Sequence, residues 1–168
     1  MDTSALKKFA QNARRHLLSE VEAQLGRVLK LDSAEIRESA GVIDSLKKQI
    51  HLTSREAVID RVAYTWFNRL CALRFMDVNH YTELGIVSPV GDFTLPEILQ
   101  EAKLGHVHVA FQPFLKIDRL EGVLNGSVPS SDLQQEAYRL LLVAACNRYH
   151  SVMPFMFERI DDYTELLM

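Results

Sequence analysis

The chain has 168 residues, 48% of them hydrophobic and 24% charged, with a formal net charge of −3. That length suits about one domain, able to bury roughly two-thirds of its unfolded surface. The negative balance excludes nucleic-acid binding by bulk charge alone and leaves room only for a local basic patch.

Taken in chain order, the elements read as helices. Leu6, Phe9, Ala10, Ala13, Leu17, Val21, Leu25 and Val28 recur at helical spacing and predict a first helix over about residues 3–30, capped by Asp2 or Thr3. Ser33 to Ile36 starts a short second helix that breaks near Gly41, and a third runs from Val42 to Leu52. Thr53-Ser54-Arg55-Glu56 has the spacing of a capping box, with the Thr53 hydroxyl on the Glu56 N–H. The helix it opens extends to about Asp77 and carries apolar residues on most sides, Trp66 among them. Such a helix is expected at the centre of the domain, wrapped by others.

From Asn79 to Phe93 the chain reads as a long connection, with a minor hairpin as an option where Gly85-Ile86-Val87 and Asp92-Phe93-Thr94 flank turn residues. Thr94-Leu95-Pro96-Glu97 repeats the capping-box spacing before a short helix that Gly105 stops. A turn or two of helix is expected over Lys116 to Leu124. A strong helix follows from the Ser131-Asp132-Leu133-Gln134 cap to about Tyr149. Pro154 interrupts the last element, which restarts near Phe155 or Asp161. Without repeats or a linker, the expectation is an all-α, bundle-like single domain over 1–168, around a central buried helix, with at most a minor hairpin.

The compartment follows from the same patterns. Cys71 and Cys146 both sit in apolar helical patterns without metal-ligand spacing, so they are expected as buried thiols in a reducing cytosol. No apolar signal core separates Lys7, Lys8, Arg14 and Arg15. The longest apolar run, Leu140 to Cys146, is far short of the ~20 residues that a membrane span needs. A cytoplasmic protein is expected.

Charged groups supply the candidate sites. Lys7, Lys8, Arg14 and Arg15 lie on the polar side of the first helix, with no acid between Asp2 and Glu20, and are the candidates for contact with a DNA backbone. A solvated helix face is the plainer account of the same run. Arg69 and Arg74 fall among apolar neighbours and are expected as buried structural arginines. Glu56, Asp60, Asp77 and residues of other helices are their candidate partners, because an unpaired buried charge is costly, and the alternative is that one of the two arginines emerges to hold a phosphate. His106-Val-His108 is the nearest histidine pair, and two ligands do not close a metal site. No metal is expected.

The segment Ala63 to Met76, Ala-Tyr-x-x-Phe-x-Arg-Leu-x-Ala-Leu-Arg-Phe-Met, resembles a signature near the start of the adenine-specific DNA methyltransferases of bacteriophage-exclusion (BREX) defence, the PglX type. The opening Met1 to Ala10 and the late Met153 to Glu158 and Tyr163 to Leu167 are similar to the same family, in the same order. The resemblance implies a parent enzyme that methylates N6 of adenine with S-adenosylmethionine, its catalytic domain lying after residue 168. The apolar stop at Leu166-Leu167-Met168 is read the same way. The family's Asn-Pro-Pro-Tyr motif and glycine-containing cofactor loop do not occur here, so no catalytic, cofactor-binding or metal residue is assigned and the chain alone is expected to be inactive. The implied partners are the remainder of the methyltransferase, double-stranded DNA and other BREX proteins, with no membrane. Two local roles are open: DNA engagement or scaffolding of the enzyme, and docking of other defence components without touching DNA.

Overall fold

The computed structural model describes residues 3–30, 40–128, 130, 132–158, 160 and 167. Helices carry the fold, and no strand occurs among the described residues. They are α1 (Ser4–Lys30), α2 (Ala40–Leu52), α3 (Arg55–Val78), α4 (Glu97–Lys103), α5 (Ile117–Leu124) and α6 (Leu133–His150), with one 3₁₀ turn at Gln112–Phe114. The expected short helix at Ser33 to Ile36 and the restart at Asp161 lie outside the described residues. Two compact units result, Met1–Asn68 with Asp161–Met168, and Arg69–Ile160, the division falling within α3.

In the first unit, α1 lies beside α3, with Arg14 Nη2 3.2 Å from Asp60 Oδ1. Val21, Leu25 and Val28 of α1 are buried, as are Ile43 and Leu46 of α2 and Val58, Ile59, Val62, Ala63 and Trp66 of α3. The cap of α3 is Ser54 rather than Thr53: Ser54 Oγ accepts the Ala57 N–H at 3.0 Å. Thr53 instead donates its hydroxyl to the Gln49 carbonyl at 2.9 Å, closing α2. With Arg55 as the first helical residue, the third amide belongs to Ala57, which shifts the cap by one position.

In the second unit the wrapped helix is α6. Every residue from Leu140 to Cys146 is buried, and α4, α5 and the 3₁₀ turn pack on α6. Its cap is Asp132, whose Oδ1 accepts the Gln135 N–H at 2.9 Å. α3, expected to be covered on most sides, is open along one face. α3 keeps an exposed row through Tyr64, Cys71, Phe75 and Val78, with Tyr64 66% and Phe75 60% exposed. Cys71 is therefore an exposed thiol, whereas burial pushes the Cys146 thiol up to about 12.

The cap expected at Thr94 does not form. Pro96 precedes α4 and has no side-chain acceptor to cap it, and the Glu97 carboxylate accepts the Gly85 N–H at 2.5 Å rather than reaching back to Thr94. Gly85 itself admits no side chain, since a Cβ there would stand 2.5 Å from the Ser88 carbonyl oxygen.

One polar cluster ties α5 to α6. Glu136 Oε1 lies 3.0 Å from Arg119 Nη2 and 2.9 Å from Arg139 Nη2. Burial pushes the Glu136 carboxyl up, but hydrogen bonds and charge from Arg139 and Arg119 outweigh it and hold the group below its ordinary 4.5. A carboxylate depressed in the folded state contributes fully above its unfolded value, and the contribution is lost as pH falls through the folded one. Urea titrations are expected to show stability declining as the pH drops below 4.5, and Glu136→Gln is expected to flatten that decline.

Candidate functional site

The four candidate cations are all exposed on the N-terminal half of α1. On the 3.6-residue period Lys7 and Arg14 share one row, and Lys8 and Arg15 share the next. Arg14 is engaged by Asp60, with side chains 67% and 58% exposed, so its charge is partly answered. Arg15 Nη2 donates to Asn12 Oδ1 at 3.3 Å. Lys7 and Lys8 have no ion pair among the described residues. The structure thus brings the cations together as a surface strip, weakened at Arg14.

The apolar stripe behaves unevenly along the same helix. From Ser4 to Glu20 no residue of α1 is buried, and the first is Val21. Leu6 is 66% and Phe9 62% exposed, although they continue the row that reaches the core at Val21, Leu25 and Val28. The segment is helical because it is rich in Ala, Leu, Lys, Gln and Arg. Yet a helix of ~12–15 residues is marginal in water without a covered face. The stripe runs past the point where this unit covers it.

The two arginines of α3 part company. Arg69 is 1% exposed, and its Nη2 donates to the Glu158 carbonyl at 2.7 Å. Arg74, expected to be buried, is exposed. It leans along the surface, where its Nη1 donates to Ser88 Oγ at 2.5 Å. None of the three expected carboxylates holds an arginine of this pair. Asp60 answers Arg14, and the Glu56 carboxyl is held below its ordinary value by its own backbone N–H and the Ser54 hydroxyl.

Asp77 does something that sequence reasoning missed. At 7% exposure it accepts three backbone N–H groups of one loop: Ile86 at 3.1 Å through Oδ1, and Val87 at 2.9 Å and Ser88 at 3.0 Å through Oδ2. The Thr82 hydroxyl adds a fourth bond at 3.0 Å, and Tyr138 donates its hydroxyl to the Ile86 carbonyl at 3.2 Å. Burial, then the Asp77 charge, push the Tyr138 phenol up to about 12. This clasp explains why no hairpin forms at Gly85-Ile86-Val87: the amides a partner strand would need are satisfied by a carboxylate.

His106 and His108 turn to different acids, His106 Nδ1 to Glu101 at 3.2 Å and His108 Nε2 to Glu83 at 2.8 Å. They do not share a site, and among the described residues no three metal-capable side chains cluster. No described helix is long and apolar enough to cross a membrane.

No protein-family model matches the chain. It is 32% identical over 193 aligned residues, covering 100% of its own length, to the adenine-specific methyltransferase BrxX of Escherichia coli O9:H4 (strain HS). It is 28% identical over 205 residues, covering 99% of its length, to the adenine-specific methyltransferase PglX of Lacticaseibacillus casei (strain Zhang). The chain spans only 15% of the first and 16% of the second. Along its whole length, then, this helical chain is a homologue of part of the BrxX and PglX adenine-specific methyltransferases, the family its signature resembles.

Proposed function

We propose that the chain is the helical N-terminal module of an adenine-N6 DNA methyltransferase of a BREX phage-defence system, working in the cytoplasm with S-adenosylmethionine as the donor for the whole enzyme. Its local role in this reading is to scaffold the enzyme, by seating the N-terminal half of α1 on the rest of the methyltransferase. One observation carries the role: Leu6 and Phe9, 66% and 62% exposed, extend a core stripe beyond the fold that covers it. The two relatives are about six times as long as this chain, and in this reading the face meets the corresponding remainder of the enzyme.

DNA contact is the second reading, favoured by the exposure of Lys7, Lys8 and Arg15 beside the same stripe. Phosphate contacts position a protein without reading sequence, and neutralising about two to four of them gives a log–log salt slope near −2 to −4.

The two readings separate in the full-length enzyme. Leu6→Ser with Phe9→Ser is expected to lower methylation severely and leave the salt slope unchanged, because it breaks the apolar seat without changing the charge of the strip. Lys7→Ala with Arg14→Ala is expected to flatten the slope only if DNA is touched, with little change in folding stability, since exposed charges contribute little. Normal methylation by the first double variant would remove scaffolding, and an unchanged slope in the second would remove DNA contact. Phage protection lost with methylation intact would assign the face to docking of other BREX proteins.

A further inference from the structure

A groove of about 320 Å³ opens in the second unit, between the end of α3, the turn before Phe111 and the end of α6. The role proposed for α1 makes no use of it. Met76 and Phe111, 7% and 3% exposed, form its floor. Tyr81, Tyr149 and Met153 line its walls. Phe75 meets Tyr81 edge-on, ring centres 6.1 Å apart. Rings and thioethers together favour a planar aromatic guest over an aliphatic one, because ring edges and sulfur both meet a π face well. The volume sits at the lower end of small-molecule sites, which start near ~300 Å³.

The rim carries a charge of each sign, Glu83 and Arg148. Glu83 is engaged by His108 Nε2 at 2.8 Å. Arg148 has no carboxylate among the described residues; its Nη1 donates to Ser151 Oγ at 3.1 Å, which leaves other guanidinium N–H groups free. An arginine with spare donors at the edge of an apolar groove takes an anionic group. The geometry points to a binding site for a planar aromatic monoanion, its ring seated among Tyr81, Phe111 and Tyr149 and its anion on Arg148.

Anilinonaphthalene sulfonate is an aromatic sulfonate of this class, and phenylnaphthylamine is its uncharged counterpart. Titrated into the 168-residue chain, the sulfonate is expected to saturate one site. Arg148→Gln should weaken the sulfonate about tenfold, the equivalent of ~1.4 kcal/mol, and leave the uncharged probe unchanged. Val152→Glu changes a rim side chain 61% exposed, so folding is spared, and the added carboxylate should weaken the sulfonate as well. Leu104→Ser removes an exposed apolar side chain elsewhere and should change neither probe. Thermal melts by circular dichroism report the fold of each variant. Failure of the sulfonate to saturate would overturn the site, as would wild-type affinity in both rim variants. Equal weakening of both probes by Arg148→Gln would overturn the anion contact, since only the groove's shape would then have changed.

Discussion

Replacing Trp66 with alanine is expected to destabilise the protein by about 3–5 kcal/mol, the range for emptying a large buried aromatic site. Trp66 is 2% exposed, and its neighbours along α3, Val62 and Ala63, are at 0% and 1%. A helix position enclosed to that degree cannot close over the void without moving backbone, so the cavity persists and adds to the lost transfer energy. Urea denaturation gives the number directly. A loss below about 1 kcal/mol would mean that the site collapses freely, in contradiction to a packed interior.

Asp77→Ala is expected to cost a comparable amount, about 3–5 kcal/mol, by a different route. The carboxylate accepts the amides of Ile86, Val87 and Ser88, and the bonds to Ile86 and Ser88 are buried. Each buried donor left without a partner costs about 1–3 kcal/mol. Asp77→Asn should fall between the two, because one oxygen remains while the new NH₂ faces a backbone donor. Amide exchange at Ile86 to Ser88 is the specific readout. It should accelerate far more than exchange in the Leu140–Cys146 stretch of α6, and equal acceleration in both places would show global unfolding rather than release of the loop.

Helical periodicity made α2, α5 and α6 readable in the sequence, because each carries its own apolar row or cap within a few residues. The row of α1 was equally readable as a pattern. Its burial was not, since a pattern states which side chains can be covered and not how far the covering protein reaches. The same limit applies to the choice of central helix. α3 has the tryptophan and the signature, yet Tyr64 and Phe75 face solvent, while the uninterrupted run from Leu140 to Cys146 marks the helix that is enclosed. A run of seven apolar residues was the better signal of wrapping than a mixed surface of aromatics and arginines.

Asp132 caps α6 within the expected segment, whereas the caps expected at Thr53 and Thr94 do not form. Thr53 and Ser54 are adjacent and either can cap, so spacing alone could not choose between them, and Glu97 left its local role for a loop twelve positions earlier. The clasp at Asp77 had no local signature at all. Its partners lie nine to eleven residues away, and a lone aspartate at a helix end reads as ordinary surface. Gly85, which has no room for a Cβ, was the one legible trace of it. Of the candidate cations, the sequence placed all four on the surface, but the pairing of Arg14 with Asp60 depends on how α1 lies beside α3 and cannot be read from either helix alone.

The claim that α1 is seated on the rest of a methyltransferase is most directly tested by amide hydrogen exchange over Ser4 to His16, measured in the 168-residue chain and in the full-length enzyme. In the isolated chain these amides are expected to exchange rapidly, because no side chain of that stretch is buried. In the full-length enzyme they should be protected to the level of α6, and Leu6→Ser with Phe9→Ser should return them to rapid exchange. Exchange that is equally rapid in both proteins would contradict the account, leaving the N-terminal half of α1 a solvated helix face.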